Sequence, residues 1–364
     1  MGLKIGIVGM PNVGKSTIFN ALTKAGAQVA NYPFCTIDPN VGVVPVPDVR
    51  LQKLAEIYKP EKITPTTVEF VDIAGLVKGA STGEGLGNQF LGHIKETDAI
   101  LHVVRCFEDS NVIHVSGKVD PVGDVEVIQT ELCLKDLETI QQRIRKLEKT
   151  AKGGDKESKI QMAVAEKAMK LLEQAKPIRK GDWTKEEFPY LKELQLITQK
   201  PVLYAANVKE EELPKGGPLV DQLRKLAAEE GSEVGVICGK VEAEVAELSE
   251  QEAKDYLKEF GLEESGLNQL IRLGYHLLGL YTYLTAGEKE VRAWTVLKGS
   301  TAPQAAGVIH SDFERGFIRA EVMRYDDLMK YGNQQAVKEK GLYRVEGKEY
   351  LVQDGDIIYF RFNV

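Results

Sequence analysis

The chain is poor in the residues that build cross-links and metal clusters. Its four cysteines, Cys35, Cys106, Cys133 and Cys238, lie far apart in 364 residues, with no C-x-x-C pair. That spacing excludes a zinc site and leaves reduced thiols in a cytoplasmic protein as the expectation. No apolar run approaches the roughly 20 residues of a membrane span, so no membrane contact is expected. Pro11 and Lys15 interrupt the first apolar stretch, which argues against a secretory leader. Positive charge is also short. Lys and Arg number 47 against 54 Asp and Glu, a net charge of −7. A whole-surface nucleic-acid binder is excluded, and only a local basic patch is left open.

What remains is an ordinary globular balance, 43% hydrophobic and 28% charged. The length suggests two or three domains. Residues 3–8 read as a buried strand and Ser16 to Lys24 as a helix. Short apolar runs follow at Gly42–Val46, Thr67–Val71, Ala99–Val104, Val202–Ala206 and Val234–Cys238. Their alternation with helical stretches predicts a mostly parallel sheet with helices on both faces, an α/β class. Between 126 and 199 the pattern changes. Leu137, Ile140, Ile144, Leu147 and Ala151 recur at steps of four and three, as do Met162, Ala165, Met169 and Leu172. Two helices around the turn Lys152-Gly153-Gly154-Asp155 make an inserted antiparallel hairpin. After about 280, strand-like runs at Val291–Val296, Phe317–Val322 and Ile357–Phe362 give a small α+β module. The expected division is 1–125 with 200–280, 126–199, and 281–364.

The stretch Gly9-Met10-Pro11-Asn12-Val13-Gly14-Lys15-Ser16 fits G-x-x-x-x-G-K-[ST], and it sits between a predicted strand and a predicted helix. Glycines let the backbone curl so that N–H groups point at phosphate oxygens, and the helix N-terminus adds partial positive charge. Asn12, Val13, Gly14, Lys15, Ser16 and Thr17 are therefore expected to hold a nucleotide. Lys15 would bridge the β- and γ-phosphates and serve catalysis, and the Ser16 hydroxyl would bind Mg2+. Asp72-Ile73-Ala74-Gly75 matches D-x-x-G. Asp72 would hold Mg2+ through water, and the Gly75 N–H would sense the γ-phosphate. Thr36, in the loop after the first helix, would bind Mg2+ when triphosphate is present.

The run from Asp72 to Ala80, followed by Gly83-Glu84-Gly85-Leu86-Gly87, resembles the Obg-related GTPases. The segment Asn31 to Asp38, taken with the phosphate loop, resembles the YchF subfamily, also called Obg-like ATPases. The likeness covers essentially the whole chain. It implies a P-loop nucleotide-binding domain and a C-terminal β-grasp domain of the TGS type. It further implies ATP as ligand and the ribosome as partner, through its large subunit.

The base-reading position points the same way. Members of the wider class read guanine with N-K-x-D, whereas this chain carries Asn207-Val208-Lys209-Glu210. A glutamate one methylene longer cannot take the aspartate's two-bond position unmoved, so guanine selection is weakened. In the ATP reading Asn207 contacts the base edge and backbone near Val208 reads the 6-amino group. The alternative is that Glu210 still pairs with guanine. Cys238-Gly239-Lys240 stands where a second base loop is expected, with no contact assigned to it.

Leu76 follows the D-x-x-G motif and can neither donate nor accept a hydrogen bond. Another group must orient the attacking water. His114, in a polar loop, is the candidate, with His93 as its rival; His102 is expected to be structural. Asn12 could help bind K+ as a second ion. The hairpin's Arg143, Arg145, Lys146, Lys149, Lys152, Lys156 and Lys159 offer a phosphate-backbone contact such as rRNA. Two other readings stay open: a nucleotide-gated regulatory module with slow hydrolysis, for which Cys35 would be a redox-sensitive point, and a small-molecule kinase.

Overall fold

The structure is a computed structural model and describes residues 3–27, 40–73, 92–109, 117–151 and 156–363. Thr36, Cys35, Gly75, Leu76, His114 and Lys152 lie outside the described residues. The chain forms two compact units, Met1–Val44 with Glu69–Gly274, and Pro45–Val68 with Tyr275–Val364.

The first unit is built on a six-stranded sheet. Its strands are β1 (Lys4–Val8), β2 (Val41–Pro45), β4 (Thr67–Asp72), β5 (Ala99–Arg105), β6 (Val202–Asn207) and β7 (Glu233–Ile237), in the order β2-β4-β1-β5-β6-β7. β3 (Lys62–Thr64) belongs to the other sheet. β4, β1, β5, β6 and β7 pair in parallel. β5 and β6 are buried along their whole length, as unbroken apolar runs covered on both faces should be. The chain leaves β1 toward β4 and later returns on its other side at β5. Parallel sheets bind ligands at such a reversal, outside the C-terminal ends of the strands.

The insertion consists of helices Pro121–Ala151 and Lys156–Leu172. Ile140 and Leu147 bury against Val164, Ala165, Ala168 and Leu172, the seam that the heptad spacing predicts. Two buried carboxylates fix its base, one against the turn that leads into β6 and one against β6 itself. Asp136, fully buried, accepts from the Ile197 N–H at 2.8 Å and from the Thr198 N–H and hydroxyl, each at 2.7 Å. Glu230 takes the Tyr204 hydroxyl at 2.8 Å, Arg179 at 3.0 Å and Lys180 at 2.8 Å. Burial alone would raise the Glu230 carboxyl; Arg179, Lys180 and Tyr204 together hold it below the ordinary value. His102 lies in β5 beside Tyr204, and burial first, then the Arg179 charge, lowers its pKa to about 3. It is a neutral core residue, which agrees with the structural role expected from its strand.

The second unit holds β3, β8 (Leu280–Ala286), β9 (Glu290–Leu297), β10 (Phe317–Arg324), β11 (Arg344–Glu346) and β12 (Asp356–Phe362), ordered β11-β10-β12-β8-β9-β3. Both faces of this mixed sheet are covered. Leu51, Leu54, Leu328 and Val337 pack on one, and Ala302, Ala305 and Ala306 share the cluster of Tyr283 and Ile358 on the other. The division differs from the sequence expectation in two respects: the insertion 126–199 falls within the first unit rather than forming a third, and residues 45–68 change unit. Residues 45–68 fell in the N-terminal domain by sequence order, yet β3 pairs in parallel with β9 and helix Val49–Tyr58 buries Leu51 and Leu54 in the second unit's core. A three-residue strand carries too little pattern to show its partner more than 200 residues away.

Candidate functional site

Sequence dictates the start of the site locally. β1 is followed by the turn 9–14 and then by helix Lys15–Ala27. The turn places Asn12 at φ 61 and Gly14 at φ 98, both left-handed. Two contacts explain why its glycines admit no side chain. A Cβ on Gly9 would stand 2.4 Å from the Val103 carbonyl oxygen, and one on Gly14 would stand 2.3 Å from Asn207 Nδ2. The turn is thus pressed against the ends of β5 and β6, which fixes where its N–H groups point.

Lys15 is buried, 7% exposed, and donates to the Met10 carbonyl at 2.8 Å. Burial pushes its ammonium below the ordinary lysine value, and the Asp72 carboxylate opposes that shift. Burial likewise pushes Asp72 up, with Lys15 opposing. Each thus feels the other's charge, Lys15 from the start of the helix and Asp72 from the end of β4. The Asp72 Oδ1 is buried and has no hydrogen-bond partner among the described residues. Such an oxygen is costly unless something else satisfies it. Ser16 and Thr17, on the first turn of the helix, are exposed, while Val13 is buried.

A cavity of about 780 Å³ opens at this end of the sheet, within the size range of nucleotide and cofactor clefts. Its phosphate end carries Asn12, Gly14, Lys15, Ser16 and Thr17. Its other end carries Phe107, Asn207, Val208, Glu210, Gly239 and Lys240. Motifs more than 190 residues apart in sequence therefore line one cleft.

Asn207 joins the two ends. Its Nδ2 donates to the Val13 carbonyl at 2.9 Å, and its Oδ1 accepts from the Gly239 N–H at 2.9 Å. Sequence reading assigned Asn207 to the base edge and missed this tie. The carboxamide is the signal, because it offers donor and acceptor side by side on one rigid plane. The Val208 N–H donates to the Ile237 carbonyl at 2.8 Å, so that backbone donor is already engaged. Glu210 forms an ion pair with Lys240, Nζ to Oε1 at 2.6 Å, without hydrogen-bond alignment. Phe107, also missed by sequence reading, is placed by Arg105. That buried guanidinium lies 4.7 Å from the Phe107 ring centre and donates to the Phe107 carbonyl at 3.0 Å.

His93 is exposed on the helical segment at 92–95. On the hairpin, Arg145, Lys146, Lys156 and Lys159 are exposed and Arg143 is half-buried; the side chains of Lys149 and Lys152 are not described. Among the described residues no group of three or more His, Cys, Asp or Glu could hold a metal. No described helix is long and apolar enough to cross a membrane.

Comparison with known proteins matches this architecture. Residues 4–166 match a family model described as 50S ribosome-binding GTPase. Residues 280–363 match the YchF GTPase C-terminal model, described as a protein of unknown function (DUF933). A Haemophilus influenzae protein named ribosome-binding ATPase YchF is 58% identical over 364 residues, covering 100% of both chains. A Bacillus subtilis protein of the same name is 57% identical over 366 residues, again covering 100% of both. The solved structure of the Schizosaccharomyces pombe YchF GTPase superposes with a TM-score of 0.89 at 43% identity, covering 99% of this chain and 98% of that one.

Proposed function

This chain belongs to the YchF family, and on that premise we propose that it binds and hydrolyses ATP, with GTP used less well, in a nucleotide-dependent cycle of ribosome contact. The observation that carries the chemistry is the buried Lys15, which donates to the Met10 carbonyl at the mouth of the phosphate turn, together with the unpartnered Asp72 Oδ1 at the end of β4. Lys15 exchanges the Met10 carbonyl for phosphate oxygens when a triphosphate enters. The unpartnered Asp72 Oδ1 fits a hydrated cation. Ser16, Asp72 and Thr36 would hold Mg2+, which when bound neutralises charge on the phosphates.

The base end supports adenine. Neither Val208 nor the lysine-bound Glu210 reproduces the lysine and free aspartate of a guanine reader. Gly75 is proposed to sense the γ-phosphate, His114 to orient the attacking water, and Asn12 to help hold K+. The exposed hairpin residues Arg145, Lys146, Lys156 and Lys159 suit rRNA phosphates, and the large subunit is the proposed contact. A switch role in translation or stress follows if nucleotide state changes that contact.

Phosphate release from ATP and GTP, measured with and without ribosomes, tests this reading. We expect faster release from ATP and stimulation by ribosomes. Equal release with no ribosome effect would leave a slow regulatory module as the better account.

A further inference from the structure

The cleft contains an ion pair that the phosphate chemistry does not use. Lys240 Nζ lies 2.6 Å from Glu210 Oε1, an ion-pair contact without the alignment of a hydrogen bond, and both residues line the base end of the cavity. We infer that Lys240 sets nucleotide choice by holding the Glu210 carboxylate in an ion pair, which withdraws it from the N1–H and 2-amino donors of guanine. This inference rests on the reading of the cleft as ATP-selective and names the residue that enforces it.

Three observations carry it. The anchor is fixed: Lys240 follows Gly239, whose N–H is tied to Asn207 Oδ1 at 2.9 Å. The backbone of Lys240 is thereby set against the end of β6, three residues before Glu210. The partner is also fixed. Glu210 opens a one-turn helix over 210–212, and the Leu213 N–H closes on its carbonyl at 3.1 Å. Finally, the competing partner is engaged. Glu244 lies near Lys240, but it accepts the Tyr256 hydroxyl. Glu210 accordingly dominates the Lys240 ammonium and raises its pKa.

Exposed ion pairs add little to folding stability, and none is asked of this one. Its task is orientation. A guanine seeking the carboxylate must displace a full positive charge from it, whereas adenine has no N1–H and makes no such demand. The pair penalises one base and leaves the other alone, which is selection by an unfavourable alternative.

The test is a double-mutant cycle on the full chain, with dissociation constants for non-hydrolysable ATP and GTP analogues measured by titration. Lys240→Met is expected to shift the ratio of GTP to ATP constants toward GTP by roughly tenfold, the scale of one charge-assisted hydrogen bond regained. In a Glu210→Gln background the same Lys240→Met change should leave the ratio where it was, because no carboxylate remains to be released. Lys240→Arg keeps the pair and should keep the wild-type ratio. An equal shift in both backgrounds would mean that Lys240 acts directly on the nucleotide, and no shift in either would mean that it does not select; both overturn the inference. The ATP preference itself is read from the wild-type ratio alone. Its failure is therefore distinguishable from failure of the ion pair.

Discussion

The two ends of the cleft are built on different physics. The phosphate end is backbone: a turn of left-handed residues and a helix N-terminus, all within residues 9–17. The base end is side chain: Asn207, Glu210 and Lys240, brought together from β6 and the loop after β7. A backbone cradle serves any nucleoside triphosphate alike, whereas side-chain donors and acceptors discriminate between bases. Substitutions at the first end should therefore weaken ATP and GTP together, those at Glu210 and Lys240 should change their ratio, and Asn207, which is bonded to both ends, should behave like the first.

The largest effect is expected from Lys15→Ala, which removes the one buried cation of the turn. ATP and GTP affinity should each fall about a hundredfold or more, the scale of charge-assisted phosphate contacts. Titration of both nucleotides checks this, and a loss confined to one of them would break the comparison. Gly14→Ala comes next. Its φ of 98 and the 2.3 Å approach to Asn207 Nδ2 make any Cβ strained. Strain of about 1–3 kcal/mol corresponds to a loss of roughly five- to 150-fold, shared by both nucleotides. Asn207→Ala cuts the tie between the two ends and should reduce both affinities by about tenfold, because two hydrogen bonds inside the cleft are lost. A loss of ATP alone would show that Asn207 acts mainly on the base.

An effect on stability rather than on nucleotide affinity is expected behind the base loop. Glu242 is buried on helix Gly239–Val245 and accepts from the Gly266 N–H at 2.7 Å. Burial, opposed by the N–H groups of Gly266 and Leu267 and by Ser265, raises its pKa to about 7. The folded value exceeds the unfolded one, so its contribution to stability is complete below about pH 4.5 and is lost as pH rises through 7. Glu242→Gln removes that loss. Its unfolding free energy from urea titration, compared with that of the parent chain, should gain between pH 5 and pH 8, by at most about 3 kcal/mol. A gap that does not change with pH would contradict the assignment.

The same contrast explains what was legible in the sequence. Residues 9–16 announce the phosphate turn because backbone curling needs glycines at fixed, contiguous spacing. The hairpin was readable from Ile140, Leu147, Ala165 and Leu172, since a helix repeats its buried face at short range. The Asn207 tie, the Lys240–Glu210 pair and the place of Phe107 were not, because each depends on which loops meet across the sheet. The return of residues 45–68 to the second unit was hidden for the same reason: β3 is three residues long and pairs only through tertiary structure. Thr36, Gly75 and His114 stay proposals drawn from motif and resemblance, outside the described residues.

The most direct measurement is a competition titration of the unmodified chain, with ATP and GTP at equal concentration against one labelled nucleotide. The account predicts that ATP displaces the label at the lower concentration. Displacement by GTP at the lower concentration would contradict it.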